Sequence, residues 1–163
     1  MIPTLQLGGM GRRSNSVAAS AGHVFWRVHI TSSAASGYDF SGIAEVEMRA
    51  TVGGADQCSG GTAISDSQFD TSTYAQTNAF DNNSATRWTS TDTAFPHWIR
   101  YQFASAVSVA QLSLQAPHIT GEAPNSPRDF TLQWSDDGSA WTTVLTVTGQ
   151  PAWAASEIRL FTV

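Results

Sequence analysis

From His23 onward, apolar residues recur at every second position. Trp26, Val28 and Ile30 fall on one side of a segment whose other side carries Arg27 and His29. Ala44, Val46 and Met48 alternate with Glu45, Glu47 and Arg49, and Ile99, Tyr101 and Phe103 with Trp98, Arg100 and Gln102. Phe130, Leu132 and Trp134 alternate in the same way with Thr131, Gln133 and Ser135. A period of two sends successive side chains to opposite faces, so each segment predicts a half-buried antiparallel strand. No run of ten residues keeps a helical stripe. Parity changes between the pair Val107, Val109 and the pair Leu112, Leu114, which predicts a β-bulge near Ala110 and Gln111. The segment SDDGS at 135–139 predicts a hairpin turn, with Gly138 free to take positive φ. The pattern is that of one all-β sandwich over residues 23–163. Trp88 and Trp141 are expected in its core, with Trp26, Trp98 and Trp134 beside them.

Residues 1–22 break the pattern. They combine Gly, Ser, Arg12 and Arg13 with a short apolar patch of Ile2, Leu5, Leu7 and Met10. Such an arm is either a frayed terminus or a segment that orders on a partner, and its apolar content favours docking.

Composition narrows the function. The chain has 163 residues and a net charge of −5. Its eight basic residues are all Arg, and they form no stripe suited to a phosphate backbone, which argues against nucleic acid. No stretch approaches the roughly 20 apolar residues of a membrane helix. The first sixteen residues lack the apolar segment of a secretory signal, so synthesis and accumulation in a cytoplasm are expected. Cys58 is the single cysteine and excludes an intrachain disulfide. No nucleophile elbow, zinc-binding helix motif, P-loop or dinucleotide fingerprint is present. Cys58 has no neighbouring His to activate it. Asp136 and Asp137 are consecutive and point apart, and Asp81 reads as too enclosed for an open catalytic metal. The expectation is a protein without enzymatic activity.

The segment NAFDNNSATRW, residues 78–88, resembles the signature of the discoidin or coagulation-factor type C family. PHWIRYQF, AVSVAQLSLQ, SPRDFTLQWSDDGSAWTTV and AASEIRLFTV follow in the order of that family's later strands. The resemblance implies a discoidin-like jelly-roll β-sandwich of the galactose-binding type. The front part, from HVFWRVHITSS to EVEMRATVGG, is similar to the variant of this domain found in bacteriophage structural proteins.

Two sites follow from the resemblance. Carbohydrate-binding relatives hold a structural Ca²⁺ beneath the signature loop, which implies ligands at Ala79, Asp81, Ser84, Thr86 and Glu157. Hard cations take six to eight oxygens, and a tight Asp-Asn-Asn turn can direct them inward. An Asx-turn at Asp81, with Glu157 capping nearby amides, is the metal-free alternative. The family's usual Gly after the Asp is Asn82 here, a residue that also tolerates left-handed backbone. For sugar binding the resemblance implies His118, Asn125, Phe95, His97 and Trp153, on loops at one end of the sandwich. Trp153, ahead of the last strand, reads more readily as a lid on the core than as a platform.

The function implied is that of a multi-copy virion-associated protein of a bacteriophage. Residues 1–22 would anchor it to other virion proteins of the head or tail, and the sandwich would project toward glycans. A decoration or cement subunit without sugar binding is the alternative, with an accessory carbohydrate-binding module of a bacterial protein behind it.

Overall fold

Alternation carries the chain into ten strands, seen in a computed structural model that describes residues 21–35 and 40–163. They are β1 (His23–Ser33), β2 (Gly42–Ile43), β3 (Glu45–Arg49), β4 (Thr62–Ser65) and β5 (Trp88–Thr89). The chain continues through β6 (His97–Val107), β7 (Gln111–Gln115), β8 (Pro127–Ser135), β9 (Thr142–Val147) and β10 (Ile158–Thr162). Short 3₁₀ turns occupy Gln76–Phe80 and Ala123–Asn125, and there is no α-helix among the described residues. The anchoring arm proposed for residues 1–22 lies outside the described residues up to residue 20.

A five-stranded sheet in the order β4-β6-β1-β8-β9 faces a three-stranded sheet in the order β10-β7-β3, and β2 pairs with β5. Every strand pair is antiparallel. β1 is the central strand of the larger sheet. Its Trp26, Val28 and Ile30 are fully buried between Ile99 and Tyr101 of β6 and Phe130 and Leu132 of β8. Val46 and Met48 of β3, with Leu112 and Leu114 of β7, close the core from the other layer. Phe130 and Phe161 meet edge to face across the layers, ring centres 5.2 Å apart. The expected β-sandwich is the observed one.

Three expectations need correction. The parity change after Val107 is not a bulge: β6 and β7 belong to different sheets, and residues 108–110 carry the chain between them. Ala110 takes part in the crossing, donating its amide to Arg49 and accepting from Val163. Trp141 and Trp98 are only half-buried. They lie under guanidinium groups, Trp141 beneath Arg27 and Trp98 beneath Arg100. Trp98 precedes inward-facing Ile99, so its parity had already placed it outward. Trp134 faces inward at the sheet's end, where His23 stacks on it at 3.4 Å.

The fully buried indoles of Trp26 and Trp88 donate to the carbonyls of Val107 and Ser67, so neither is left with an unmet N–H. Gly138 takes φ 74° in the β8–β9 turn, where Asp137 accepts from the amides of Ser139 and Ala140. Those amides hold the Asp137 carboxyl far below the usual carboxylate range.

Gly61, just before β4, has no room for a side chain. A Cβ there would stand 2.3 Å from the Gln102 carbonyl and 2.5 Å from the Tyr101 ring, while Tyr101 accepts the Gly61 amide at 2.8 Å. Gly61→Ala is expected to cost about 1–3 kcal/mol, as overpacking against backbone does. Urea denaturation measures it, and a midpoint equal to that of the unsubstituted protein would refute it.

Candidate functional site

The connection from β4 to β5 is long, polar and without periodicity, so its shape comes from side chains bonding backbone. Asp70 Oδ1 accepts the amides of Ser72, Thr73 and Tyr74, which depress the Asp70 carboxyl below its ordinary value. The Phe69 amide donates to the Thr89 carbonyl, tying the loop to β5. This fold of the loop raises Phe69 out of the surface, 55% exposed. Its ring is held edge to face between Phe40 at 5.9 Å and Tyr74 at 5.4 Å.

Beneath these rings lies buried Arg87. It ion-pairs with Glu122, donates to the Tyr74 hydroxyl at 3.2 Å, and packs its guanidinium 4.6 Å from the Tyr74 ring. The Ala123–Asn125 turn follows and brings Asn125 to the same rim. The result is an open cleft of about 600 Å³, walled by Phe40, Phe69 and Tyr74 and edged by Thr89, Glu122 and Asn125. An apolar wall with a few polar groups at its margin suits a small ligand that presents both a flat apolar side and hydroxyls.

A second cluster lies beneath the Asp-Asn-Asn turn. The Asn83 amide donates to Glu45 Oε1 at 2.6 Å and to Asp81 Oδ1 at 2.9 Å. Thr86 Oγ1 lies 2.8 Å from Asp81 Oδ2 and 2.8 Å from the Asn83 carbonyl. Two carboxylates and a hydroxyl thus converge, and neither acid has a Lys, Arg or His partner among the described residues. Glu45 is buried, and its carboxyl is pushed up to about 8, first by burial and then by a bond to Asp81. No group of three or more His, Cys, Asp or Glu is placed to hold a metal among the described residues. A cation here would lean on two carboxylates and on neutral oxygens.

The F5/8 type C domain profile matches residues 61–161. The chain belongs to the F5/8 type C domain family. No curated protein and no solved structure matches it. F5/8 type C domains are in general non-catalytic modules that bind carbohydrates or other ligands.

Within this F5/8 type C domain, the residues expected to bind sugar separate. Asn125 lines the cleft. His118 is exposed but is not among the cleft's lining residues. Phe95 is half-buried against the core, edge-on to His97. His97 is 2% exposed, its Nδ1 2.8 Å from Asp66 and its Nε2 3.0 Å from the Asp92 carbonyl, so it clamps a loop. Trp153 is buried, donates to the Pro127 carbonyl, and lies under Arg159 at 3.9 Å, the placement of a lid on the core. Its neighbour Ala152 reaches the cleft.

The expected metal ligands separate too. Asp81 and Thr86 come together, and Asp81 is exposed, not enclosed. Ala79 is buried in the Gln76–Phe80 turn and Ser84 is exposed. Asn82 takes φ 58°, the left-handed backbone that the family's Gly would supply. Glu157 bonds Arg159 and the Ala154 amide, and these depress its carboxyl; the acid beside Asp81 is Glu45. Cys58 is buried beside Asp56, and burial raises its thiol well above the ordinary range, which disfavours the thiolate.

Sequence reasoning missed Phe69, Phe40, Tyr74 and Glu45. An aromatic isolated in the polar run DSQFDTSTY was the available signal for Phe69.

Proposed function

We propose that this F5/8 type C domain is a non-enzymatic glycan-binding module whose site is the loop-end cleft. Phe69 carries the proposal: a half-exposed aromatic, braced by two other rings, over a cleft rimmed by an amide, a hydroxyl and a carboxylate. A sugar ring would lay its apolar face on Phe69 while Asn125 and Thr89 bond its hydroxyls. Ca²⁺, held by Asp81, Glu45 and Thr86, would fix the signature loop and offset the charge of the two acids. One shallow cleft binds weakly, so the function needs many copies acting together. The likeness of the front segments to phage proteins supports placing those copies on a bacteriophage particle, with residues 1–22 as the anchor in its head or tail.

Titration with galactose-type oligosaccharides, free and on a multivalent carrier, tests this. Phe69→Ala and Asn125→Ala are each expected to weaken binding about tenfold, with melting unchanged. A decoration subunit is the second reading, favoured by Ile158 and Leu160, which stand 57% and 53% exposed on edge strand β10. Failure of every multivalent glycan to bind would leave that reading in place of the first.

A further inference from the structure

Two arginines stand side by side on the outward face of the five-stranded sheet. Arg27 of β1 lies directly opposite Arg100 of β6. Like charges in cross-strand register repel each other. Neither guanidinium meets a carboxylate among the described residues, whereas Arg49, Arg87 and Arg159 pair with Glu47, Glu122 and Glu157. In a chain of net charge −5, that leaves an uncompensated cationic spot on an acidic protein.

Both side chains are nevertheless held in place. Arg27 Nε donates to Gln133 at 2.7 Å, and its guanidinium lies 4.0 Å from the centre of the Trp141 ring. Arg100 donates to the Gly138 carbonyl and packs 5.3 Å from the Trp98 ring and 5.6 Å from that of Phe25. Its buried Nε has no hydrogen-bond partner. Burial and Arg100 draw the Arg27 guanidinium below its ordinary value. His29, next on β1, is lowered by burial and by Arg27, while Asp66 opposes. A guanidinium stacked on a ring keeps its N–H edge free, and ordering it in advance leaves less to lose on binding an anion.

We propose that this sheet face is a second binding surface, for an acidic polysaccharide, whose carboxylate or sulfate groups seat between Arg27 and Arg100. Around the pair the face carries neutral amides and hydroxyls: Gln102 two residues along β6 from Arg100, Gln133 opposite Arg27 on β8, and Thr143 opposite Gln133 on β9, where it accepts from the Gln133 amide. Those groups suit sugar hydroxyls. The aromatic rings of this face, Phe25, Trp98 and Trp141, are half-buried and covered by the two guanidinium groups, so they offer flat stacking surfaces more than protruding anchors of the kind a protein partner uses. The most exposed large apolar side chains (Val52, Phe69, Ile119, Ile158, Leu160 and Val163) belong to other parts of the surface. The face shares no residue with the loop-end cleft.

Affinity electrophoresis of the full chain through polygalacturonate, heparin and a neutral galactan tests the proposal and separates carboxylate from sulfate. Retardation by at least one acidic polymer is expected. It should weaken about tenfold in the R27Q/R100Q double variant, as loss of charge-assisted bonds requires, and fade as salt rises. Melting of R27Q/R100Q is read alongside, so that lost retardation in a variant that still melts cooperatively reports on binding and not on unfolding. Phe69→Ala should leave acidic-polymer retardation intact, whatever it does to galactan. Three results overturn the proposal: no acidic polymer retards the protein, the double variant is retarded as strongly as the parent, or Phe69→Ala removes the retardation. Capture by polyglutamate with neither polysaccharide bound would overturn it in favour of an acidic protein partner.

Discussion

In a chelator, the melting temperature of this domain is expected to fall as the pH is raised from about 5 to 8, and excess calcium should abolish that fall. Glu45 is the cause. Its carboxyl titrates near 4.5 in an ordinary setting and about 8 in the fold. Between those values the folded protein keeps a proton that the unfolded chain releases. The stabilisation is therefore complete below about pH 4.5 and is lost as pH rises toward 8. Each unit of displacement corresponds to about 1.4 kcal/mol, and for a coupled pair of acids a total loss of about 2–4 kcal/mol is the working figure. A bound cation inverts the situation by favouring both carboxylates ionised. At a hundredfold excess over its dissociation constant it adds about 2.7 kcal/mol. Glu45→Gln should flatten the pH dependence in chelator and blunt the response to calcium. Differential scanning calorimetry in chelator and in calcium, across that pH range, makes the measurement. Melting indifferent to calcium at pH 8 would end the cation proposal.

The second large effect separates the tryptophans. Trp26→Ala removes a fully buried indole from the middle strand and leaves the Val107 carbonyl without its donor. Truncations of this kind cost about 3–5 kcal/mol. In a domain of this size that lowers the melting temperature by roughly 10–15 °C. Trp98→Ala and Trp141→Ala remove half-exposed rings that lie under guanidinium groups, and should cost only about 0.5–1 kcal/mol each. Thermal denaturation of the three variants decides. Equal losses would mean that the outward rings carry as much of the packing as the inward one.

The strands were legible because period two is a local property, readable in a few residues at a time. β1, β3, β6 and β8 all lie on segments whose alternation marks them. What failed was long-range. A bulge and a passage between sheets shift parity identically, so the step from Val107 to Leu112 looked like the commoner device. For Trp98, ring size argued for the core and parity argued for the surface, and parity was right. Glu45 sits on the wet side of its own strand's alternation. It is covered by the turn around Asn83, 38 residues later in the chain, and nothing near Glu45 announces that cover. The cleft escaped for a related reason: Phe69 and Tyr74 are placed by Asp70 collecting three amides, an arrangement with no period to detect.

The central position of β1 has a consequence for how the polypeptide is made. Once synthesised, β1 must wait for later segments, since Trp26 finds its cross-strand neighbours only at Tyr101 and Trp134. Pairings so distant along the chain slow folding. A fragment trimmed to the family profile, beginning at residue 61, would carry β6 and β8 without the strand that joins them. Such a piece has the signature loop and most of the cleft's aromatic wall, yet no spine to hang them on.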